Sequence, residues 1–250
     1  MNLRVVLVEP MYEGNVGSVA RSMKNFGFHD LVLVNPCQIE DFGLAMAAHA
    51  RDVLQMARSV SNLQEALEGV SLVVGTTGKR LGEEQHHLRL HLRAPCLDPA
   101  QLAEKLKGKE GEVALLLGRE DCGLRNEELA TCDLIVSIPT SQQYPVMNLS
   151  HAAAVLFYEL SSVESGSVDL ASRETLLLLL DRSKELLQEV SYPEHKQEFT
   201  LLMLRRIFGR AALTEREART LLGVIKNLRW KASAPLESSL ESIPKQDTEI

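Results

Sequence analysis

The sequence predicts an α/β fold, a parallel sheet with helices on both faces, followed by a small helical C-terminal extension. Two observations carry the prediction. Over roughly the first 160 residues, short apolar runs alternate with helical patterns. The apolar runs show almost no inside–outside alternation, as expected of strands covered on both sides. Beyond them the chain carries only long stretches of helical periodicity.

The strand runs are LRVVLVE (3–9), DLVLVN (30–35), SLVVGTT (71–77), VALLLG (113–118) and LIVSIP (134–139). All are rich in the β-branched and aliphatic residues that suit a pleated, buried surface. Helical patterns fall at 17–26, 42–57, 62–68, 98–107, 125–130 and 148–164. Residues 78–97 have mixed polarity and no period, so they read as a long loop offering Lys79, Arg80, Arg89 and Arg93 to phosphate. The small, polar stretch SSVESGSVDLAS (161–172) suggests a body over 1–165, a linker over 166–172 and a helical domain over 173–232. Thr214 and Glu217 form the pattern of a capping box opening the last helix. Residues 233–250, rich in Ser, Pro and Glu, read as a disordered tail.

With 250 residues, 45% hydrophobic and 24% charged, the chain can bury a sizeable core in the manner of soluble proteins. No apolar run approaches the length of a membrane span. The first residues lead straight into a strand without a signal-peptide pattern, so a cytoplasmic protein is expected. Cys37, Cys96, Cys122 and Cys132 are far apart and form no C-x-x-C pair, which favours buried thiols over zinc or disulfides. His86, His87 and His91, with Glu83 and Glu84, read as a solvated loop, and no metal is expected. A net charge of −7 argues against coating nucleic acid by bulk attraction. The charge is segregated, however. Residues 1–169 hold 14 basic and 22 acidic side chains, whereas 170–232 hold 12 and 8. A basic segment on an acidic body is compatible with an anionic partner that docks locally.

Parallel sheets bind ligands at the carboxyl ends of their strands. Polar stretches follow those ends: GNVG (14–17), GTTGKR (75–80), GREDCG (118–123) and PTSQQYPVMN (139–148). Taken singly, each has a bland reading. The glycines after the first strand permit a turn into a helix whose N-terminus would suit an anion. The spacing lacks the G-x-G-x-x-G of dinucleotide binders, which argues against an ordinary doubly wound nucleotide enzyme. Arg21 is either salt-bridged at a rim or aimed into a site. Glu120 sits in a turn where a carboxylate needs partners, and Asn148 stands where an N-cap would.

Together, NVGSVAR (15–21), LGREDCGLRNEE (117–128) and IPTSQQYPVMNLSHAAAV (138–155) resemble, in order and spacing, the three motifs of SPOUT-class (SpoU/TrmH-like) RNA ribose 2′-O-methyltransferases. The resemblance is closest to the TrmJ type, which methylates nucleotide 32 of the tRNA anticodon loop. It covers about 1–165 closely and 170–232 loosely.

The resemblance implies a C-terminal trefoil knot, a homodimer with the active site near the interface, S-adenosylmethionine as cofactor and tRNA as substrate. By matching positions it implies that Thr76, Thr77, Gly78, Gly118, Ile138, Pro145, Val146 and Met147 line the cofactor. Arg21 would face the target ribose and activate its hydroxyl, with Asn15, Glu120 and Asn148 orienting it. Tyr144, Lys79 and Arg80 would meet the RNA. Pro145 and Val146 stand where bacterial relatives tend to carry serines; this archaeal-looking form implies a preference for cytidine. The alternatives are an RNA-binding protein that kept the fold and lost catalysis, or a methyltransferase for another RNA. The presence of Asn15, Arg21 and Glu120 speaks against the first.

Overall fold

The computed structural model of the chain describes residues 2–78, 92–93, 95–164 and 166–233. Among these residues seven strands form one sheet, parallel throughout: β1 (Asn2–Val8), β2 (Asp30–Val34), β3 (Arg58–Val60), β4 (Leu72–Thr76), β5 (Cys96–Leu97), β7 (Glu112–Leu117) and β8 (Leu134–Val136), in the order β3-β2-β1-β7-β4-β8-β5. A separate parallel pair joins β6 (Lys109–Glu110) to β9 (Val168–Asp169).

The apolar runs form the five central strands because both of their faces are buried. Val5, Leu7, Val74, Leu115, Leu117 and Val136 face one core, while Val6, Val8, Val73, Ala114, Leu116 and Ile135 face the other. The first core is closed by α1 (Glu13–Asn25), α5 (Pro99–Leu106) and α7 (Leu149–Ser161) through Val16, Val19, Met23, Leu102, Leu156 and Phe157. The second is closed by α4 (Leu63–Ala66) and α6 (Asn126–Thr131) through Ala66, Leu67 and Leu129.

The glycines of GNVG lie inside α1 rather than in a turn ahead of it. Their function is close packing. A Cβ on Gly17 would stand 2.1 Å from the carbonyl oxygen of Gly43, in α2 (Asp41–Ala47), and one on Gly14 would meet the Phe42 ring at 2.5 Å. The Glu13 carboxylate then accepts the amides of Glu40 (2.5 Å) and Gly43 (3.0 Å) at the start of α2, where an anion opposes the helix dipole. The helical pattern at 42–57 is divided into α2, a 3-10 turn (Ala48–Ala50) and α3 (Arg51–Met56).

Two stretches differ from expectation. Cys96 and Leu97, at the end of the expected loop, join the sheet as β5. The small polar stretch before residue 173 is stitched down: β9 pairs with β6, Leu170 and Ala171 are buried, and the Ala171 amide donates to Leu213 at 2.8 Å.

The basic segment forms α8 (Arg173–Glu189), α9 (Glu194–Ala211) and α10 (Glu215–Ala232). Thr214 opens α10 with the expected capping box, its hydroxyl accepting the Glu217 amide while Glu217 accepts the Thr214 amide at 2.8 Å. Arg229 of α10 pairs with Glu185 and Glu189 of α8. Helix α9 docks on the body through charge. Buried Arg206 donates to the carbonyls of Leu129, Cys132 and Leu92, capping the end of α6, while Arg205 pairs with buried Asp133 at 3.1 Å. Asp133 also accepts the Val73 amide at 2.9 Å, so sheet and α9 share one carboxylate.

Candidate active site

The carboxyl ends of β4, β7 and β8 open onto a cavity of about 270 Å³. Its wall includes all eight of the positions expected to line a cofactor: Thr76, Thr77, Gly78, Gly118, Ile138, Pro145, Val146 and Met147. Leu117, Leu149 and Leu156 add aliphatic surface, and Arg93, Arg119, Glu120 and Asp121 add charge. Gly118 has no room for a side chain, because a Cβ there would lie 2.2 Å from the Leu124 amide nitrogen. The turn folds back this tightly through an Arg119–Gly123 bridge, with the Gly123 amide on the Arg119 carbonyl at 2.9 Å. Thr76 spends its hydroxyl on the Leu116 carbonyl (2.9 Å), so its side chain braces β4 against β7.

Beside this cavity, Glu120, Asn15 and Asn148 form one hydrogen-bonded chain. Glu120 accepts the amides of Met11 (2.9 Å) and Tyr12 (3.2 Å) and the Asn15 side-chain NH₂ (2.9 Å). The Asn148 NH₂ donates to the Asn15 carbonyl oxygen at 3.1 Å, and the Asn148 oxygen accepts the Ser150 amide (2.9 Å) and hydroxyl (2.7 Å). The chain has a fixed direction. A carboxylate at one end only accepts and a backbone N–H at the other only donates, so neither amide can flip without losing both of its bonds. Asn148 is thus the N-cap of α7 and a link to α1 at once.

A second buckle lies behind the turn. Arg119, buried, grips Glu128 with two nitrogens (2.8 and 3.0 Å) and Glu9 with its Nε (2.8 Å). The two carboxylates push the guanidinium further up from its usual range, and the bond from Arg119 holds the Glu9 carboxyl below its own. Glu9 adopts φ 47°, an uncommon conformation for a side-chain-bearing residue, held by its amide on Val34 (2.8 Å). The sequence singled out Glu120 in this motif but not Arg119, and nothing local signals that its partner is Glu9, 110 positions away. Burial pushes the Cys132 thiol up to about 12, and the thiol packs where a Cβ on Gly75 would stand. Exposed Cys122 is raised as well, by its contact with Asp121.

The remaining expected site residues are placed differently. Arg21 is exposed on α1 and makes no hydrogen bond or ion pair among the described residues. Asn15, Glu120 and Asn148 bond to one another and not to it. Tyr144 is 82% exposed and outside the cavity lining. Lys79 and Arg80, like Arg89 and the histidines 86, 87 and 91, lie outside the described residues. Among the described residues no group of three or more His, Cys, Asp or Glu is arranged to hold a metal ion, and no helix is long and apolar enough to cross a membrane.

Residues 2–158 match the SpoU rRNA methylase family. The chain is 40% identical to the tRNA (cytidine-2′-O-)-methyltransferase TrmJ of Methanocaldococcus jannaschii, over 90% of this chain and 98% of that one. It is 36% identical to the tRNA (cytidine/uridine/adenosine-2′-O-)-methyltransferase TrmJ of Pseudomonas aeruginosa, over 89% and 92%. Among solved structures it resembles TrmJ from Z. mobilis, with a TM-score of 0.70 and 28% identity, covering 91% of this chain and 99% of that one. A family match across most of the chain, and a cavity with a polar chain at the expected strand ends, lead to one conclusion: the chain belongs to the SpoU methylase family of RNA methyltransferases.

Proposed function

We propose that this protein transfers a methyl group from S-adenosylmethionine to the ribose 2′-oxygen of a tRNA nucleotide in the cytoplasm. The observation that carries the reading is the adjacency of the cavity and the Glu120–Asn15–Asn148 chain, with Glu120 both lining the one and anchoring the other. The tRNA is inferred from relatives named for tRNA 2′-O-methylation along nearly their whole length. The finer assignment is cytidine at nucleotide 32. The Pro145–Val146 form of the third motif supports it, as does the archaeal relative being named for cytidine alone.

The cavity suits that cofactor. Ile138, Val146, Met147, Leu149 and Leu156 offer aliphatic surface to a purine, Gly118 lets backbone approach, and the acidic Glu120 and Asp121 suit a cationic sulfonium. When bound, S-adenosylmethionine supplies an electrophilic methyl. The chain's own share is alignment and charge. Glu120 already accepts three hydrogen bonds, so it positions Asn15 and the residues before α1 rather than taking the proton of the 2′-hydroxyl. Arg21 offers donors and no acceptor, so it is no base either. It stabilises negative charge developing on the ribose oxygen while the proton leaves to phosphate or water.

Because Arg21 is exposed and outside the cavity lining of its own chain, we assign it to a site completed in a homodimer. The exposed Met11, Tyr12, Phe42 and Met46, on and beside α1 and α2, are the kind of surface a second copy would cover. The test uses labelled S-adenosylmethionine and tRNA transcripts carrying cytidine or uridine at position 32, with nuclease mapping. Label on that ribose, lost in Arg21→Ala while cofactor binding persists, is the expected result. Cofactor binding with no label on any tRNA points to another RNA, and no cofactor binding overturns the reading.

A further inference from the structure

Among the described residues, one cation at the cavity has no counterpart. The basic residues of the lining described are Arg93 and Arg119, and Arg119 is taken up by Glu9 and Glu128. Arg93 is half-buried, its Nε is shut off from solvent without a hydrogen-bond acceptor, and it makes no ion pair among the described residues. The buried Nε is out of a ligand's reach, but the two terminal nitrogens are not shut off and make no hydrogen bond among the described residues, so they are the donors an anion entering the cavity would meet. The backbone beside it is fixed: the Leu92 carbonyl accepts buried Arg206 of α9 at 2.9 Å. Arg93 is therefore presented to the cavity by a contact reaching across from the C-terminal helices.

We propose that Arg93 binds the carboxylate at the amino-acid end of S-adenosylmethionine; this rests on the methyl donor assigned above. The acidic members of the lining, Glu120 and Asp121, suit the cationic sulfonium and ammonium of that ligand, leaving its carboxylate for Arg93, the lining cation without an ion pair among the described residues. A guanidinium meets a carboxylate with two parallel bonds, which fixes orientation as well as affinity.

The test is calorimetric binding to the full-length protein without RNA. The probes are S-adenosylhomocysteine and its decarboxylated analogue S-adenosyl-3-thiopropylamine, which keeps the ammonium and lacks only the carboxylate. Arg93→Ala weakens S-adenosylhomocysteine on the order of 10–100-fold, the range expected for a charge-assisted bond, and leaves the analogue within about twofold. Arg93→Lys recovers part of the loss. Equal losses for both probes, or no loss for either, overturn the assignment. A fall in tRNA affinity measured without cofactor, with both probes unaffected, overturns it too and gives Arg93 to an RNA phosphate. Wild-type protein that binds neither probe refutes the methyl donor itself, an outcome distinct from the others.

Discussion

The side chain of Asn148 donates to the side chain of Asn15 at 3.1 Å across 133 positions of sequence, joining the first turns of α7 and α1. Each amide is held in one orientation by the groups at the ends of the chain, Glu120 and the Ser150 amide. The site is thus wired by direction as much as by distance.

That direction makes Asn15→Asp informative. The new carboxylate would face Glu120 where a donor now lies 2.9 Å away, and would still meet the Asn148 NH₂. Two carboxylates at that separation raise the pKa of one of them. The variant loses on the order of 1–2 kcal/mol at neutral pH by analogy with lost charge-assisted bonds. The deficit shrinks as the pH falls and one carboxyl protonates. Melting temperatures of wild type and variant at neutral and mildly acidic pH check this; a deficit that grows toward acid refutes the wiring.

Gly118→Ala tests the tight turn. The added methyl would overlap the Leu124 amide and the Gly123 carbonyl carbon at 2.2 Å, both backbone atoms that cannot rotate away. The turn has to open, at a cost of about 1–3 kcal/mol, and S-adenosylhomocysteine binding weakens with it. Denaturant unfolding and calorimetry read the two effects separately.

The Glu9–Arg119 pair gives the stability an acid limb. The Glu9 carboxyl is held below its ordinary value of 4.5 by the bond from Arg119, so its contribution is complete above that value and lost as pH falls through the lowered one. Glu9→Gln removes this dependence, so that its unfolding midpoint declines less than that of wild type between about pH 5 and pH 3. Parallel acid limbs would count against the pair.

Arg206→Met tests the docking of the C-terminal helices. The substitution keeps an apolar stem but takes the Arg206 donor from the carbonyls of Cys132 and Leu92, while Leu129 keeps only the Cys132 amide at 3.2 Å. Unpaired buried acceptors cost about 1–3 kcal/mol each, so the drop in unfolding free energy is large. A mobile α9 also makes the helical region more sensitive to limited proteolysis.

The central sheet was legible because its strands are continuous apolar runs, and a run such as VALLLG has no other way to be buried on both faces. The outer strands were not. Arg58–Val60 and Cys96–Leu97 are three and two residues long, and they are strands only because β2 and β8 offer them edges. The cavity lining was legible through motifs that follow strand ends. The partners of individual polar groups were not, since Glu120 and Arg119 are neighbours in sequence yet bond in opposite directions, one to α1 and the other to Glu9 and α6. The glycines of GNVG were misjudged for a related reason: what demands them is α2, a helix that begins only at Asp41 and whose approach no local pattern announces.

The position of β7 has a consequence for how the protein is made. β7 lies between β1 and β4, so both earlier strands leave the ribosome with an edge that nothing yet occupies. At about 5–20 residues added per second, the 105 positions from Asn15 to Glu120 take roughly 5–20 s to synthesise. For that interval α1 exists without the carboxylate that orders its first turn, and until α7 follows, Asn15 lacks Asn148 as well. The polar chain therefore cannot close until Asn148 has followed Glu120 out of the ribosome, and a nascent chain that stops before it lacks the link between α1 and α7 however well its first strands have paired.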